Sequence, residues 1–216
     1  MFNKVQVRWI MLVAVILLVG FGIYLNPDRR IRKVNAELER IMTSMNSTML
    51  EIRDDVATNQ SCFEDESLQN GASAGCVISL RAIQETLRNT DKENMGKLEK
   101  YYQDNKAELD DATKSMINNS LRLYQSNSYS DLLDAYDRYF TANIKWHTFF
   151  RDVVGIKGVD NMTNTELMNT KSLAQEVVSA EENLKLKTNT FSDYLHTNFD
   201  KEFVQSLTKY VESLKK

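Results

Sequence analysis

The sequence has very little of the two residues that interrupt helices. Its 216 residues include one proline, Pro27, and seven glycines, two of which lie inside a single apolar run. Tight turns and strand ends are built largely from these residues, whereas long helices need neither. No stretch of four or more residues alternates strictly enough between apolar and polar side chains to predict a strand. The composition therefore predicts an all-α protein.

Residue types that build catalytic and metal sites are equally scarce. The chain has two histidines and two cysteines. It contains no His-Glu-x-x-His zinc motif, no Cys-x-x-Cys pair, no glycine-rich phosphate loop and no Gly-x-Ser-x-Gly nucleophile turn. A di-iron bundle needs Glu-x-x-His on each of two helices, and the chain offers only Asp193-x-x-His196. We therefore predict no enzymatic activity, no bound metal and no cofactor.

His147 has the more informative position of the two histidines. On a helical wheel it falls within an apolar stripe, which predicts an interior position. His196 points away from the apolar stripe of its own helix and is predicted to be solvated. We interpret His147 as a hydrogen-bonded core or interface histidine rather than a catalytic one. The stripe that contains it is formed by Leu133, Tyr136, Phe140, Ile144, Phe150 and Val154.

Charge is unevenly placed along the chain. Residues 34–216 carry 21 basic and 29 acidic side chains, and an acidic body argues against nucleic-acid binding. Basic residues instead cluster in a juxtamembrane segment, 26–33, where each charge near an anionic bilayer contributes about 1 kcal/mol. They are predicted to contact lipid headgroups, or else to form an ordinary stop-and-anchor flank. These residues are Arg29, Arg30, Arg32 and Lys33.

The apolar run from Trp9 to Leu25 has 17 residues and no charge. As a helix it would span roughly 25 Å, at the short end of membrane-spanning lengths. We predict a transmembrane signal anchor at 9–25 behind a short tail at 1–8. The alternative is a signal peptide cleaved at the small-x-small site Gly20-Phe-Gly22. The apolar run continues past that site, which favours a retained anchor.

Two signals for the orientation of this anchor disagree. The basic cluster follows the anchor, which by the positive-inside rule would leave the large domain in the cytoplasm. Cys62 and Cys76, however, bracket a polar loop of the size that a disulfide closes, worth about 3 kcal/mol in an oxidising compartment. Two unpaired structural thiols are the alternative. Because a short leading tail usually sends the following domain across the membrane, we predict a single-pass protein with an extracytoplasmic C-terminal domain.

That domain, 34–216, is predicted to be a helical bundle that includes the disulfide-closed loop at 62–76. Its first helix, near 28–59, carries apolar residues at steps of three and four with one stutter. The stripe is interpreted as one helix of the bundle, or as a coiled-coil seam through which the chain forms a homo-oligomer. Its members are Ile31, Val34, Leu38, Ile41, Met45, Met49, Ile52 and Val56.

Capping boxes predict three later helix starts, at Thr90, Ser128 and Thr163, because an acid follows each of them three residues on. Gly155 and Gly158 predict a helix stop. The expected helices are therefore near 77–89, 91–126, 129–154, 164–197 and 200–214, with a kink or a break at 89–91. Packed antiparallel, they predict an elongated up-down bundle of about four to five helices.

Aromatic residues are concentrated between Tyr124 and Phe150, a stretch that holds eight of the chain's twenty. Trp146 and Phe149 lie well round the helix from its main apolar stripe. A helix that is apolar over so much of its girth is either central in the bundle or presents a second face to a partner. We predict a docking face formed by Tyr139, Trp146 and Phe149, with central placement as the alternative.

These features together predict a membrane-anchored extracytoplasmic scaffold or protein-interaction module without catalytic activity. Its expected partners are the membrane and a protein. One alternative is a ligand-binding sensory bundle that works with a separate membrane signalling partner. Another is a cytoplasmic-side, membrane-tethered coiled-coil adaptor.

Overall fold

The computed structural model describes residues 73–205 and part of the segment before them. The described residues of that segment are 36–38, 40–41, 43, 47, 51, 54–55 and 57–63. Regular structure in the described residues is entirely helical, with no strand, as the composition predicts. No helix in this part of the chain is both long and apolar enough to cross a membrane. The predicted anchor at 9–25 and the basic residues Arg29, Arg30, Arg32 and Lys33 lie outside the described residues.

Four long helices form the described bundle. They are α1, Ser73–Asn105; α2, Asp111–Tyr124; α3, Asn127–Phe149; and α4, Asn164–Asn198. A π-helical turn, Phe150–Val154, prolongs α3. One α-helical turn, Gly155–Lys157, and a 3-10 turn, Val159–Asn161, complete the link to α4. Before α1, helical residues between 36 and 58 lead to a 3-10 turn, Gln60–Phe63.

The start predicted at Thr163 and the stop predicted at Gly158 are confirmed, whereas Gly155 lies inside a helical turn. The Thr163 hydroxyl accepts from the Glu166 N–H at 3.2 Å, and the Glu166 carboxylate accepts from the Thr163 N–H at 2.8 Å. Each partner thereby satisfies an amide that the first turn of α4 leaves open. Gly158 ends the preceding helical turn with a φ of 72°, a conformation that costs glycine little.

The other two predicted helix starts are wrong. Thr90 lies inside α1, which continues without a break because a buried stripe runs through both halves of that helix. The N-cap of α3 is Ser126 rather than Ser128, and its hydroxyl accepts from the Tyr129 N–H at 3.2 Å. The stripe of α1 includes Leu80, Ile83, Met95, Leu98 and Tyr101.

The helix predicted at 91–126 is divided in two by a turn at 106–110. Asp110 starts α2 by accepting the Thr113 N–H at 2.7 Å. Leu109 is buried and packs the turn against the core. An N-cap aspartate followed by a second acid in the first turn, Asp111, is an ordinary start signal that lacks the capping-box spelling.

Helix α3 is central, with α1 on one side and α4 on the other. Gln84 of α1 donates to the Asp137 carboxylate at 2.8 Å and to the Thr141 hydroxyl at 3.1 Å. On the other side, two ion pairs link α3 to α4, Asp131 with Lys187 and Lys145 with Glu176, each at 2.5 Å. Their positions run in opposite directions along the two helices, so α4 is antiparallel to α3.

The segment before α1 also runs antiparallel to that helix. Burial raises the pKa of Tyr101 to about 12, and the nearby Glu37 charge adds to the rise. At the other end of the segment Cys62 is bonded to Cys76. Leu38 and Ile41, the two stripe residues described here, are buried in the bundle core. This agrees with the bundle interpretation of the stripe.

The bundle therefore has two distinct ends. The end that holds the Cys62–Cys76 pair and the α3–α4 link at 150–163 is called the disulfide end below. The opposite end holds residue 37, Tyr101 and the turn at 106–110. A helix of 35 residues, the length of α4, extends over roughly 50 Å.

Two leucines of α4 test this packing. Leu195 is buried in the core, whereas 62% of Leu186 is exposed. We expect Leu195→Ala to lower the free energy of unfolding by about 2–5 kcal/mol, because truncation leaves a cavity. Leu186→Ala should change it by no more than about 0.5 kcal/mol. Urea unfolding followed by circular dichroism, at one low protein concentration, measures both free energies of unfolding. Equal decreases for the two variants would contradict the described orientation of α4.

Candidate functional site

Three separate parts of the chain meet at the disulfide end. The 3-10 turn before α1 brings Cys62 to Cys76 in the first turn of α1, with the two Sγ atoms 2.03 Å apart. The predicted cysteine pair is therefore at disulfide distance in the structure. Both cysteines are buried, so the bond forms part of the core. It closes a loop over a sequence separation of 14 residues, for which cross-linking contributes about 3 kcal/mol.

His147 joins α3 to the same junction. Its imidazole is buried, and Nε2 donates to the Cys62 carbonyl at 2.7 Å. Burial lowers the pKa of His147 because the charged imidazolium loses its hydration, and the hydrogen bond to Cys62 only partly opposes this. The neutral imidazole thus bridges a backbone carbonyl and α3. The interpretation of His147 as a hydrogen-bonded core histidine agrees with this position.

Phe63 packs next to this junction and covers Tyr139, one of the three residues of the predicted docking face. Its ring stacks on Tyr139 with centroids 5.9 Å apart and meets Phe140 edge-on at 6.0 Å. Tyr139 is consequently buried, and burial raises the pKa of its phenol well above the usual value. Tyr139 therefore belongs to the core rather than to a surface that a partner could reach.

Trp146 and Phe149, the other two predicted docking residues, remain half-exposed at the end of α3. The Trp146 ring packs against Phe150, with centroids 4.8 Å apart, where the π-helical turn begins. A π turn is an uncommon insertion that re-aims the side chains following it, and it often marks a functional position. The π turn here begins directly after Phe149, so the half-exposed aromatic residues of α3 lie immediately before it.

Exposed apolar residues continue from there across the α3–α4 link. Of the seven large apolar residues that are most exposed in the described chain, four fall between positions 156 and 168. They project from the link and from the first turns of α4. Together with the half-exposed aromatic residues they form what is called the apolar end surface below: Trp146, Phe149, Phe150, Ile156, Val159, Leu167 and Met168.

Most charges within this surface are paired. Lys157 lies 2.6 Å from the Glu166 carboxylate, which also accepts from Thr163. These bonds, led by the one from Lys157, lower the pKa of Glu166 to about 2. Arg151 and Asp152 form a second pair at 2.6 Å. The surface therefore offers apolar area with little net charge.

The sequence pattern did not identify the link residues of this surface. Ile156 and Val159 lie in a segment that the glycines mark as a stop, and such segments are expected to be polar. The available signal was the insertion of apolar residues between and after Gly155 and Gly158. Within the described part of the chain, no cluster of three or more His, Cys, Asp or Glu side chains is arranged to hold a metal ion.

No protein-family model, no curated protein and no solved structure matches this chain.

The buried His147 predicts a pH dependence of stability. Because its pKa is lowered from 6.5 in the folded state, its contribution is complete above about pH 6.5. That contribution is lost as the pH falls from there toward the folded-state pKa, since the unfolded chain then takes up the proton more readily. We expect the free energy of unfolding to decrease between about pH 7.5 and 5.5, by up to about 1.4 kcal/mol for each unit of pKa shift.

Urea unfolding at several pH values measures this decrease. His147→Gln should flatten the pH profile, whatever its effect on stability at neutral pH. The exposed His196 is the matched control, and His196→Gln should keep the decrease. A wild-type profile that is flat over this range would refute the prediction.

Proposed function

We propose that this chain is a non-enzymatic helical interaction module, held at a membrane by residues 9–25, that binds a protein partner through the apolar end surface. The observation that carries the proposal is the concentration of exposed apolar side chains at one end of an otherwise polar bundle. Exposed apolar patches on small helical domains mark interaction sites, because unpartnered apolar area is costly in water.

The chemistry of this surface fits a protein better than other partners. The cores of protein interfaces are rich in aromatic residues and methionine and poor in unpaired charge. Trp146, Phe149 and Met168 supply those residue types. Phosphate-bearing partners would instead require a cluster of unpaired basic side chains. Two of the basic residues near this surface, Arg151 and Lys157, are paired with carboxylates.

The position of the surface supports a module that projects from its anchor. Residue 37 lies at the end of the bundle opposite the α3–α4 link. A chain anchored before residue 26 would therefore enter the bundle at one end and present its partner surface at the other. The separation is on the order of the 50 Å length of a 35-residue helix.

The Cys62–Cys76 pair supports placement of the bundle outside the cytoplasm. Disulfides persist in oxidising compartments and are kept reduced in the cytosol. Here the two cysteines lie at disulfide distance within the core, which supports an oxidising compartment. The cytoplasmic adaptor would have to keep both thiols reduced within the same packing.

Thiol trapping tests this placement. Because Cys62 and Cys76 are buried, intact source cells should be quenched in acid and denatured before a mass-adding maleimide is applied. We expect no addition without reductant and two additions after reduction. Two additions without reductant would contradict the extracytoplasmic placement and favour the cytoplasmic adaptor.

Photo-cross-linking tests the apolar end surface. A photoreactive residue at position 156, in cells of the source organism, should give a product of one defined additional mass. The same residue at the exposed position 100, near the other end of the bundle, should not. We expect Val159→Asp to reduce the product about ten-fold, because it buries a charge in the interface.

Val178→Asp is the matched control, since Val178 is also exposed but lies outside the apolar end surface. It should leave the product unchanged. Equal products from positions 156 and 100, or no loss with Val159→Asp, would count against the proposed site.

A further inference from the structure

The outer face of α4 carries a second pattern, which shares only Met168 with the apolar end surface. Six residues follow one another at steps of three and four, the spacing of a heptad seam. All six are exposed, whereas Leu184, Thr188, Phe191 and Leu195 form the buried stripe of the same helix. The six, called the outer α4 face below, are Met168, Lys171, Gln175, Val178, Glu182 and Lys185.

This face is complementary to itself when one copy is reversed. An antiparallel pair of α4 helices, centred between Glu176 and Val177, places Lys171 of each copy opposite Glu182 of the other. The same register sets Gln175 opposite Val178. It also aligns the flanking Leu167 with Leu186, both of which are exposed apolar residues. One register thus pairs the opposite charges and the two leucines, and it sets Met168 opposite the methylene stem of Lys185.

A parallel pair does not have this property. In-register parallel helices would place Lys171 opposite Lys171, Glu182 opposite Glu182 and Lys185 opposite Lys185. Like charges that face each other across an interface oppose association and select against that arrangement. The charge pattern therefore distinguishes between the two orientations in favour of the antiparallel one.

We propose that the outer α4 face is a two-fold self-association surface, at which a second copy of this chain pairs antiparallel through Lys171 and Glu182. A two-fold interface uses the same patch on both copies, so each contact occurs twice. The proposal needs neither the membrane anchor nor the residues of the α3–α4 link. Because exposed ion pairs each contribute little, the pairing is reversible and depends on concentration.

Charge reversal in the full chain tests this proposal. Sedimentation velocity over a concentration series, in a non-ionic detergent, should show reversible dimers of the wild-type chain. Lys171→Glu and Glu182→Lys should each weaken the dimer about ten-fold, since each replaces two attractive contacts by two repulsive ones. The double variant Lys171→Glu/Glu182→Lys should restore the dissociation constant to within about three-fold.

Two variants on α1 serve as matched controls for the change in net charge. Lys100→Glu and Glu99→Lys alter exposed residues by the same amounts and should leave association unchanged. A wild-type chain that stays monomeric at about 1 mM would overturn the proposal. Single variants that dimerise as tightly as the wild type would also overturn it, and this is the outcome expected if the chain associates through another surface. A double variant whose dimer is no tighter than those of the single variants would overturn it as well.

A zero-length carbodiimide cross-link reports the register directly. In a mixture of ¹⁴N- and ¹⁵N-labelled chains we expect an amide between Lys171 of one isotope and Glu182 of the other. Within one helix these residues are 11 positions apart, roughly 16 Å, which is too far for a zero-length bond. Failure to find the mixed-isotope peptide in cross-linked dimers would exclude this register.

Discussion

The rest of the described structure depends on the burial of α3. Both α1 and α4 pack against it, and its interior positions carry rings as large as Tyr129, Tyr136 and Phe140. Such rings bury large apolar areas and dominate the energetics of a small core. The aromatic concentration in the sequence is therefore mostly a property of the core. Only beyond residue 145, just before the π turn at Phe150–Val154, do its rings reach solvent.

Features that depend on local chemistry could be predicted from the sequence. The capping box at Thr163 and the stop at Gly158 follow from hydrogen-bonding and backbone rules that act over a few residues. The pairing of Cys62 with Cys76 needed only the count of cysteines and the length of the loop. An interior His147 followed from helical periodicity, although its hydrogen-bond partner, the Cys62 carbonyl, could not be predicted.

Features that depend on distant contacts could not be predicted in the same way. Thr90 begins a capping-box motif that is typical of a helix start, yet the continuous buried stripe of α1 overrides that local preference. Tyr139 was predicted to face a partner, but a helical wheel contains no information about Phe63, which covers it from another segment. The apolar link residues were missed for the converse reason. Local rules predict a polar turn there, whereas Ile156 and Val159 are exposed apolar residues.

The two proposed surfaces constrain each other through geometry. In an antiparallel pair the α3–α4 links of the two copies lie at opposite ends, so pairing would cover Leu167 and Met168 but leave the rest of each apolar end surface free, and the pair would be bivalent. The N-terminal ends would likewise point in opposite directions. Two bundles standing upright on one membrane could not pair in this way. Pairing would therefore require copies on two facing membranes or bundles that lie along one surface. Self-association through α4 would thus depend on how the bundle is oriented at the membrane, rather than on its affinity alone.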